Sequence, residues 1–290
     1  MNKFYHLVLA VILSVAVTLA LLSFFPSSKS SSVSSLSEPA YARVMETSTI
    51  RCGYAVSEPW LYLDPNTKKI QGLGADVIEK LAEKLSLKIE WTEEIGWGQI
   101  GETLKARRVD VGCSSFWIMA ARARGILSTR AFVYNPLYAY MRAGEEEGKT
   151  LQDIDQSDVK VTVVDGDLSE RIRDKMFPKS TAVSLVSSAI PADIFMMIAT
   201  KKADVAIAGP FSVASFNQRS EQKLQRVGNI PLLSYGAGYP VAKGEYSLKF
   251  MLDETLGEMM VSGELQDIVE KYTKAYPRSL LLPAQPYEKP

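Results

Sequence analysis

Residues 98–122, GQIGETLKARRVDVGCSSFWIMAAR, read as helix, turn, strand and open loop in one run, with Trp97 just before them. Ile100 and Leu104 are four apart and so share one face of a helix. Arg107 and Arg108 fall in its last turn, where cations suit the negative end of the helix dipole. Val109-Asp110-Val111-Gly112-Cys113 then predicts a short strand. The strand runs out into Ser114, Ser115, Phe116 and Trp117 and, past small residues, Arg122. In open α/β sheets, ligands gather outside the carboxyl ends of strands. An arginine placed there offers a fork that matches a carboxylate through two charge-assisted hydrogen bonds.

Working outward, the same alternation repeats. Ile50 to Val56 predicts a strand, followed by the loop Ser57-Glu58-Pro59-Trp60 and a turn at Asp64-Pro65-Asn66-Thr67. Ile70 to Leu85 opens with glycines and becomes an amphipathic helix with Val77, Ile78, Leu81 and Leu85 on one face. Ile89-Glu90-Trp91 is a second strand. Further on, Val159 to Val164 reads as a strand ended by Asp165-Gly166-Asp167, and Leu168 to Phe177 as a helix. A helix over Ala192 to Ala199 leads to a strand over Asp204 to Gly209. One last helix is expected near Leu248 to Tyr272. Strands alternating with helices point to an α/β protein.

The chain has 290 residues, enough for one large or two medium domains. Its 33 basic and 33 acidic residues balance, which gives no argument for nucleic acid or an anionic membrane surface. The single histidine is His6. Nucleophile systems built on histidine are therefore excluded from the folded part, and neither a metal nor a cofactor is expected. Cys52 and Cys113 each lie in an apolar strand-like run and read first as buried small apolar residues. An exported compartment permits a disulfide, provided the two strands lie side by side at matching heights.

Leu7 to Phe25 is an uncharged, mostly apolar run of 19 residues after Lys3. A signal-peptide core is usually shorter, roughly 7–15 residues. The run reads as an export segment over residues 1–26, either an uncleaved membrane anchor or a signal peptide cut after Ala42 in Ala40-Tyr41-Ala42. Residues 27–48 are serine-rich and read as a flexible linker, and residues 277–290 as a proline-containing tail with no core signal.

Trp97, Ile100, Leu104, Asp110 and Arg122 stand at the spacings of a helix–strand phrase that ends in "T-x-x-R". In this respect the chain resembles the bacterial extracellular solute-binding proteins of family 3, the polar amino-acid type that serves ABC transporters. Pro59-Trp60, Gly72 to Val77, Leu151-Gln152-Asp153-Ile154, Gly238 to Gly244 and Gly263 to Ile268 resemble further phrases of the family. The resemblance runs from about residue 48 to Tyr276. It implies a two-lobed α/β fold of the type II periplasmic-binding-protein class, with a hinge and an interlobe cleft. Lobe 1 is expected over 49–138 and 236–276, lobe 2 over 139–235. The location implied is the periplasm or cell exterior. The partners implied are a small carboxylate or amino acid and an ABC-transporter permease in the inner membrane, with the binding protein itself a monomer.

By the same resemblance Arg122 takes the ligand carboxylate, Ser115 offers hydroxyl or backbone contacts, and Trp97 is an aromatic wall. Trp60 is a second wall or lobe packing. Three positions depart from the pattern: Met119 replaces the threonine of "T-x-x-R", Trp117 replaces a small hydroxyl residue, and Gly209 replaces the aspartate that holds an α-ammonium. Glu58, Asp165 or Asp167 are the candidates to supply the missing counter-charge, Asp167 first. Without one, the ligand is a carboxylate lacking an amine, or a bulky cyclic acid facing Arg122, Trp97 and Trp117. Two alternatives to transport remain on the sequence: a tethered sensor, and an enzyme resembling cyclohexadienyl (prephenate or arogenate) dehydratases, with Glu58 or Asp167 as general acid.

Overall fold

The computed structural model describes residues 6, 38–274 and 279–283. The expected export segment apart from residue 6, the first half of the serine-rich stretch and both ends of the tail lie outside the described residues. Among the described residues, no helix is long and apolar enough to cross a membrane.

In chain order the strands are β1 (Thr49–Tyr54), β2 (Tyr62–Leu63), β3 (Ile70–Gln71), β4 (Lys88–Glu94), β5 (Val111–Gly112), β6 (Phe116–Trp117), β7 (Ile126–Ser128), β8 (Val133–Arg142), β9 (Lys160–Val164), β10 (Thr181–Leu185), β11 (Val205–Ala208), β12 (Leu224–Arg226), β13 (Leu233–Gly238) and β14 (Pro240–Ala242). They build two main sheets. The first has the order β4-β1-β5-β14-β7, with β1 parallel to β4 and β5. The second has the order β10-β9-β11-β8-β13-β6, with β12 also on β8. In it β9 is parallel to β10 and β11, while β8 runs antiparallel to β11 and β13. All four residues of β11 are buried, as expected of a strand covered on both faces. The molecule is thus two-lobed, one sheet per lobe.

Apart from the two-residue β6, which joins the edge of the second sheet, the chain leaves the first sheet between β7 and β8 and returns between β13 and β14. These two crossings are tied together. Thr129 N–H donates to the Tyr239 carbonyl at 3.0 Å, and Tyr239 N–H donates to Thr129 Oγ1 at 2.9 Å. Phe132 stacks on Tyr239 with centroids 4.9 Å apart. Two adjacent crossings of this kind form a hinge region between the lobes.

Local chemistry explains the elements that matter for the cleft. The helix Leu73–Lys84 buries Leu73, Val77, Ile78 and Leu81 along one stripe. Gly72 enters it at φ +122°, where a Cβ would stand 2.5 Å from the Trp60 carbonyl oxygen. Asp110, just before β5, is buried and receives Arg43 and Arg51.

Three expectations are corrected, and the cysteine pairing, open on the sequence, is decided. Residues 39–47, read as the end of a linker, form a helix that buries Ala40 and Val44, and Glu245 accepts its first N–H groups from Ala40 and Tyr41. A carboxylate suits that positive helix end, and the apolar stripe is too short for composition alone to reveal. The single terminal helix is two, Tyr246–Ser262 and Glu264–Thr273, broken where Gly263 turns left-handed at φ 85°. In the tail, Leu280 is buried in the first core and Leu281 pairs with Tyr134. Cys52 and Cys113 are joined in a disulfide with Cα atoms 5.4 Å apart. Adjacent parallel strands bring them close, Cys52 lying opposite Val111, two residues before Cys113.

Candidate functional site

The carboxyl ends of β5, β9 and β11 converge on one cavity of about 80 Å³. Ser115 follows β5, Val164 closes β9, and Ala208 closes β11. At roughly 10–15 Å³ per water-sized group, that space suits a compact solute rather than a polymer. Of the residues expected at the site, Arg122, Ser115, Trp97, Trp117, Trp60 and Asp167 all line it.

Arg122 comes in on the turn between β6 and β7, where Ile126 N–H donates to its carbonyl at 3.1 Å. Its guanidinium is aimed by two backbone carbonyls, Trp97 at 3.0 Å and Trp117 at 3.3 Å, and lies 5.9 Å over the Phe116 ring. Carbonyls orient the group without neutralising it. Burial pushes its pKa down, and the charge of Asp167 pushes it back up. Asp167 stands before the helix Leu168–Met176 and caps it by accepting the Leu168 N–H. Burial raises its pKa, while the Leu168 N–H and then Arg122 lower it. The two side chains feel each other across the cavity, yet no ion pair within 4.0 Å joins them.

The three tryptophans are placed by packing. Trp97 meets Phe116 edge-on at 5.2 Å, and Trp117 lies 4.1 Å from the Tyr235 ring. Trp60 is buried against Phe211 and donates its indole N–H to Ser212 Oγ at 3.3 Å, a bond from the first lobe to the second. Ser115 Oγ is buried with no hydrogen-bond partner. Gly74 makes room for it, since a Cβ there would come within 2.6 Å of that oxygen.

Two expectations about the counter-charge part company. Asp167 faces the cavity. Glu58 does not line it; its carboxylate pairs with Arg219 beside the cleft mouth. Asp165 is exposed and is not among the lining residues. At Gly209 the reason for the missing side chain is now visible. A Cβ at Gly209 would lie 2.2 Å from Asn135 Oδ1 and 2.4 Å from Asn135 Nδ2. The amide of Asn135 occupies that space.

Asn135, Tyr235, Ser57, Ser169 and Ser212 are lining residues that the sequence did not bring forward. Asn135 and Tyr235 sit directly opposite each other on β8 and β13, and Asn135 Nδ2 donates to the Tyr235 hydroxyl at 2.7 Å. A polar Asn inside the apolar run Phe132 to Tyr140 was the available signal. Among the described residues there is no cluster of His, Cys, Asp and Glu able to hold a metal ion.

Residues 50–275 match the model of a protein family described as bacterial extracellular solute-binding proteins, family 3. Among solved structures, the chain is similar to the ancestral amino-acid-binding protein AncCDT-1, a precursor of cyclohexadienyl dehydratase: 20% identity, TM-score 0.70, covering 80% of this chain and 98% of that one. It is also similar to an ancestral arginine-binding protein bound to arginine, at 21% identity, TM-score 0.68, covering 78% and 98%. A third is a putative ABC-transporter binding component from Wolinella succinogenes complexed with lysine, at 16% identity, TM-score 0.69, covering 77% and 95%. No curated protein matches the chain.

Proposed function

The chain belongs to the bacterial extracellular solute-binding proteins of family 3, and from that premise we propose that it captures a small amino-acid-like carboxylate and delivers it to an ABC-transporter permease. Arg122 holds the carboxylate, Asp167 faces the ammonium, and Trp60, Trp97 and Trp117 wall in the rest. The observation that carries this reading is Arg122 itself. It lines the cavity, spends two of its N–H groups on carbonyls and has no carboxylate within ion-pair distance. A half-buried guanidinium in that state favours an anion that completes its hydrogen bonds. Arg122 and Asp167, held apart on one cavity, match the two ends of a zwitterion. Lobe closure about the hinge then removes the solute from water.

The test is a thermal-shift and calorimetric screen of amino, keto and hydroxy acids, with Arg122→Ala in parallel. A solute at about 100 times its Kd adds roughly 2.7 kcal/mol to stability. A shift lost in Arg122→Ala supports the clamp. A shift that persists in the variant means that Arg122 is structural.

A second reading rests on Asp167. A carboxyl whose pKa is raised by burial keeps its proton more readily and can act as a general acid. On a carboxylated cyclohexadienyl ring it would protonate the hydroxyl, which leaves as water while the ring carboxylate leaves as CO2 and its bonding pair completes the aromatic ring. Formation of the aromatic product by the wild type, lost in Asp167→Asn, would favour this reading. Tight binding with no turnover removes it.

A further inference from the structure

The cavity wall carries two formal charges, Arg122 and Asp167; its other lining residues are neutral. A zwitterion uses both. Any further cation on the solute would be buried with no carboxylate to meet it, which is costly. The neutral polar groups are not idle, however. Asn135 is 2% exposed, lines the cavity, and its Oδ1 has no hydrogen-bond partner. Buried polar atoms are nearly always paired, and an orphan acceptor on a cavity wall points to a donor supplied from within the cavity.

The structure holds that acceptor in place from three sides. β8 and β13 set Asn135 opposite Tyr235 in register. The bond from Asn135 Nδ2 to the Tyr235 hydroxyl commits the nitrogen side of the amide and leaves the oxygen, beside Gly209, without a partner. The bare Gly209 leaves room for the amide, because any side chain there would overlap it. Tyr235 in turn is locked against Trp117. Asn135 is thus a fixed, uncharged acceptor on a rigid strand.

We propose that Asn135 sets the specificity of this cavity by accepting an uncharged N–H or O–H donor of the bound solute, so that amide- or hydroxyl-bearing solutes are preferred over those carrying a second positive charge. The inference rests on the amino-acid reading above. Asn135 discriminates through charge: an amide oxygen satisfies a neutral donor fully but leaves an ammonium or guanidinium without neutralisation. An aspartate in its place reverses that balance.

Matched pairs of solutes test this by titration calorimetry on the purified chain. L-serine is compared with L-2,3-diaminopropionate, and L-citrulline with L-arginine; within each pair the shape is nearly constant and the charge changes. Wild-type protein is expected to bind the uncharged member of at least one pair tenfold or more tightly than its cationic counterpart. Asn135→Asp is expected to shift that ratio at least tenfold toward the cation, and Asn135→Leu to lose affinity for the uncharged member. Equal or tighter wild-type binding of the cationic members overturns the proposal without needing either variant. So does failure of both uncharged members to bind. Arg122→Ala separates the two readings. If it abolishes all binding while the wild type prefers cations, the carboxylate clamp stands and the role of Asn135 falls. If it leaves binding intact, the amino-acid reading itself falls.

Discussion

Arg122 and Arg142 are both withdrawn from solvent, and their surroundings differ in kind. Arg142, at the end of β8, is buried and meets Glu145 and Asp204, with the Ile198 and Ala203 carbonyls at 2.6 and 3.1 Å. Its pKa is raised, chiefly by the hydrogen bond with Glu145. Arg122 meets only carbonyls, and burial lowers its pKa. The first guanidinium is neutralised by its own chain and belongs to the fold. The second has been oriented and left with its charge uncompensated at contact distance. Asp110 and Asp167 repeat the contrast: Asp110 is enclosed by Arg43 and Arg51, whereas Asp167 faces a cavity. Charge that a protein neutralises internally holds structure, and charge it leaves aimed at a cavity is available to a ligand.

The sharpest way to break this contrast is to delete each arginine. Arg142→Ala should cost about 1–3 kcal/mol of stability, because it leaves the buried Ile198 and Ala203 carbonyls without a donor, whereas Glu145 and Asp204 are exposed enough to be hydrated. Solute affinity measured at a temperature where the variant is folded should stay near wild type. Arg122→Ala should do the reverse, lowering affinity by about a hundredfold or more for loss of a buried charge-assisted contact, with a small change in denaturation midpoint. Equal effects of both variants on both readouts would erase the distinction.

Titration of Asp167 sharpens the comparison next. In the unliganded fold its pKa lies above the ordinary 3.8, so the folded state holds the proton longer than the unfolded chain. Its contribution to stability is therefore greatest below pH 3.8 and declines as pH rises through the raised pKa. A bound ammonium favours the ionised form instead. Affinity for a zwitterion should fall by about tenfold per unit of pH once the pH drops below the raised pKa, within the range where the protein stays folded. Asp167→Asn should bind more weakly and lose that slope. A wild-type profile as flat as the variant's would show that Asp167 does not meet the ammonium.

The smallest effect is expected at the mouth of the cleft, where Glu58 and Arg219 pair across the lobes. Exposed pairs contribute about 1 kcal/mol or less. Glu58→Ala should change affinity by less than about fivefold, and less still at high salt. A large loss would move Glu58 from the rim into the binding machinery.

Much of the site was legible one residue at a time. Arg122, Ser115, Trp97 and Trp117 lie within a single helix–strand–loop phrase, so local spacing placed them together. Asp167 was legible as the residue that ends a strand and opens a helix. The pairing of Glu58 with Arg219 was not legible, because that partner is 161 positions away, a distance over which no periodicity speaks. The helix Pro210–Arg219 carried a start signal in Pro210 at its first position, but its weak apolar stripe left it unread. The disulfide was undecided for a similar reason: two cysteines 61 residues apart reveal neither strand adjacency nor height.

The sequence by itself determined the α/β class, the order of most strands and helices, and the arginine at a strand's carboxyl end. Each depends on chemistry within a few residues, where the helical and strand periods act directly. Only the tertiary structure decided which polar groups remain without partners. Asn135 becomes an acceptor because Tyr235 lies across the sheet and Gly209 vacates the space beside it. Satisfaction of a buried hydrogen bond is a property of what surrounds an atom in space, and those two neighbours stand on β13 and just after β11, far from β8 along the chain.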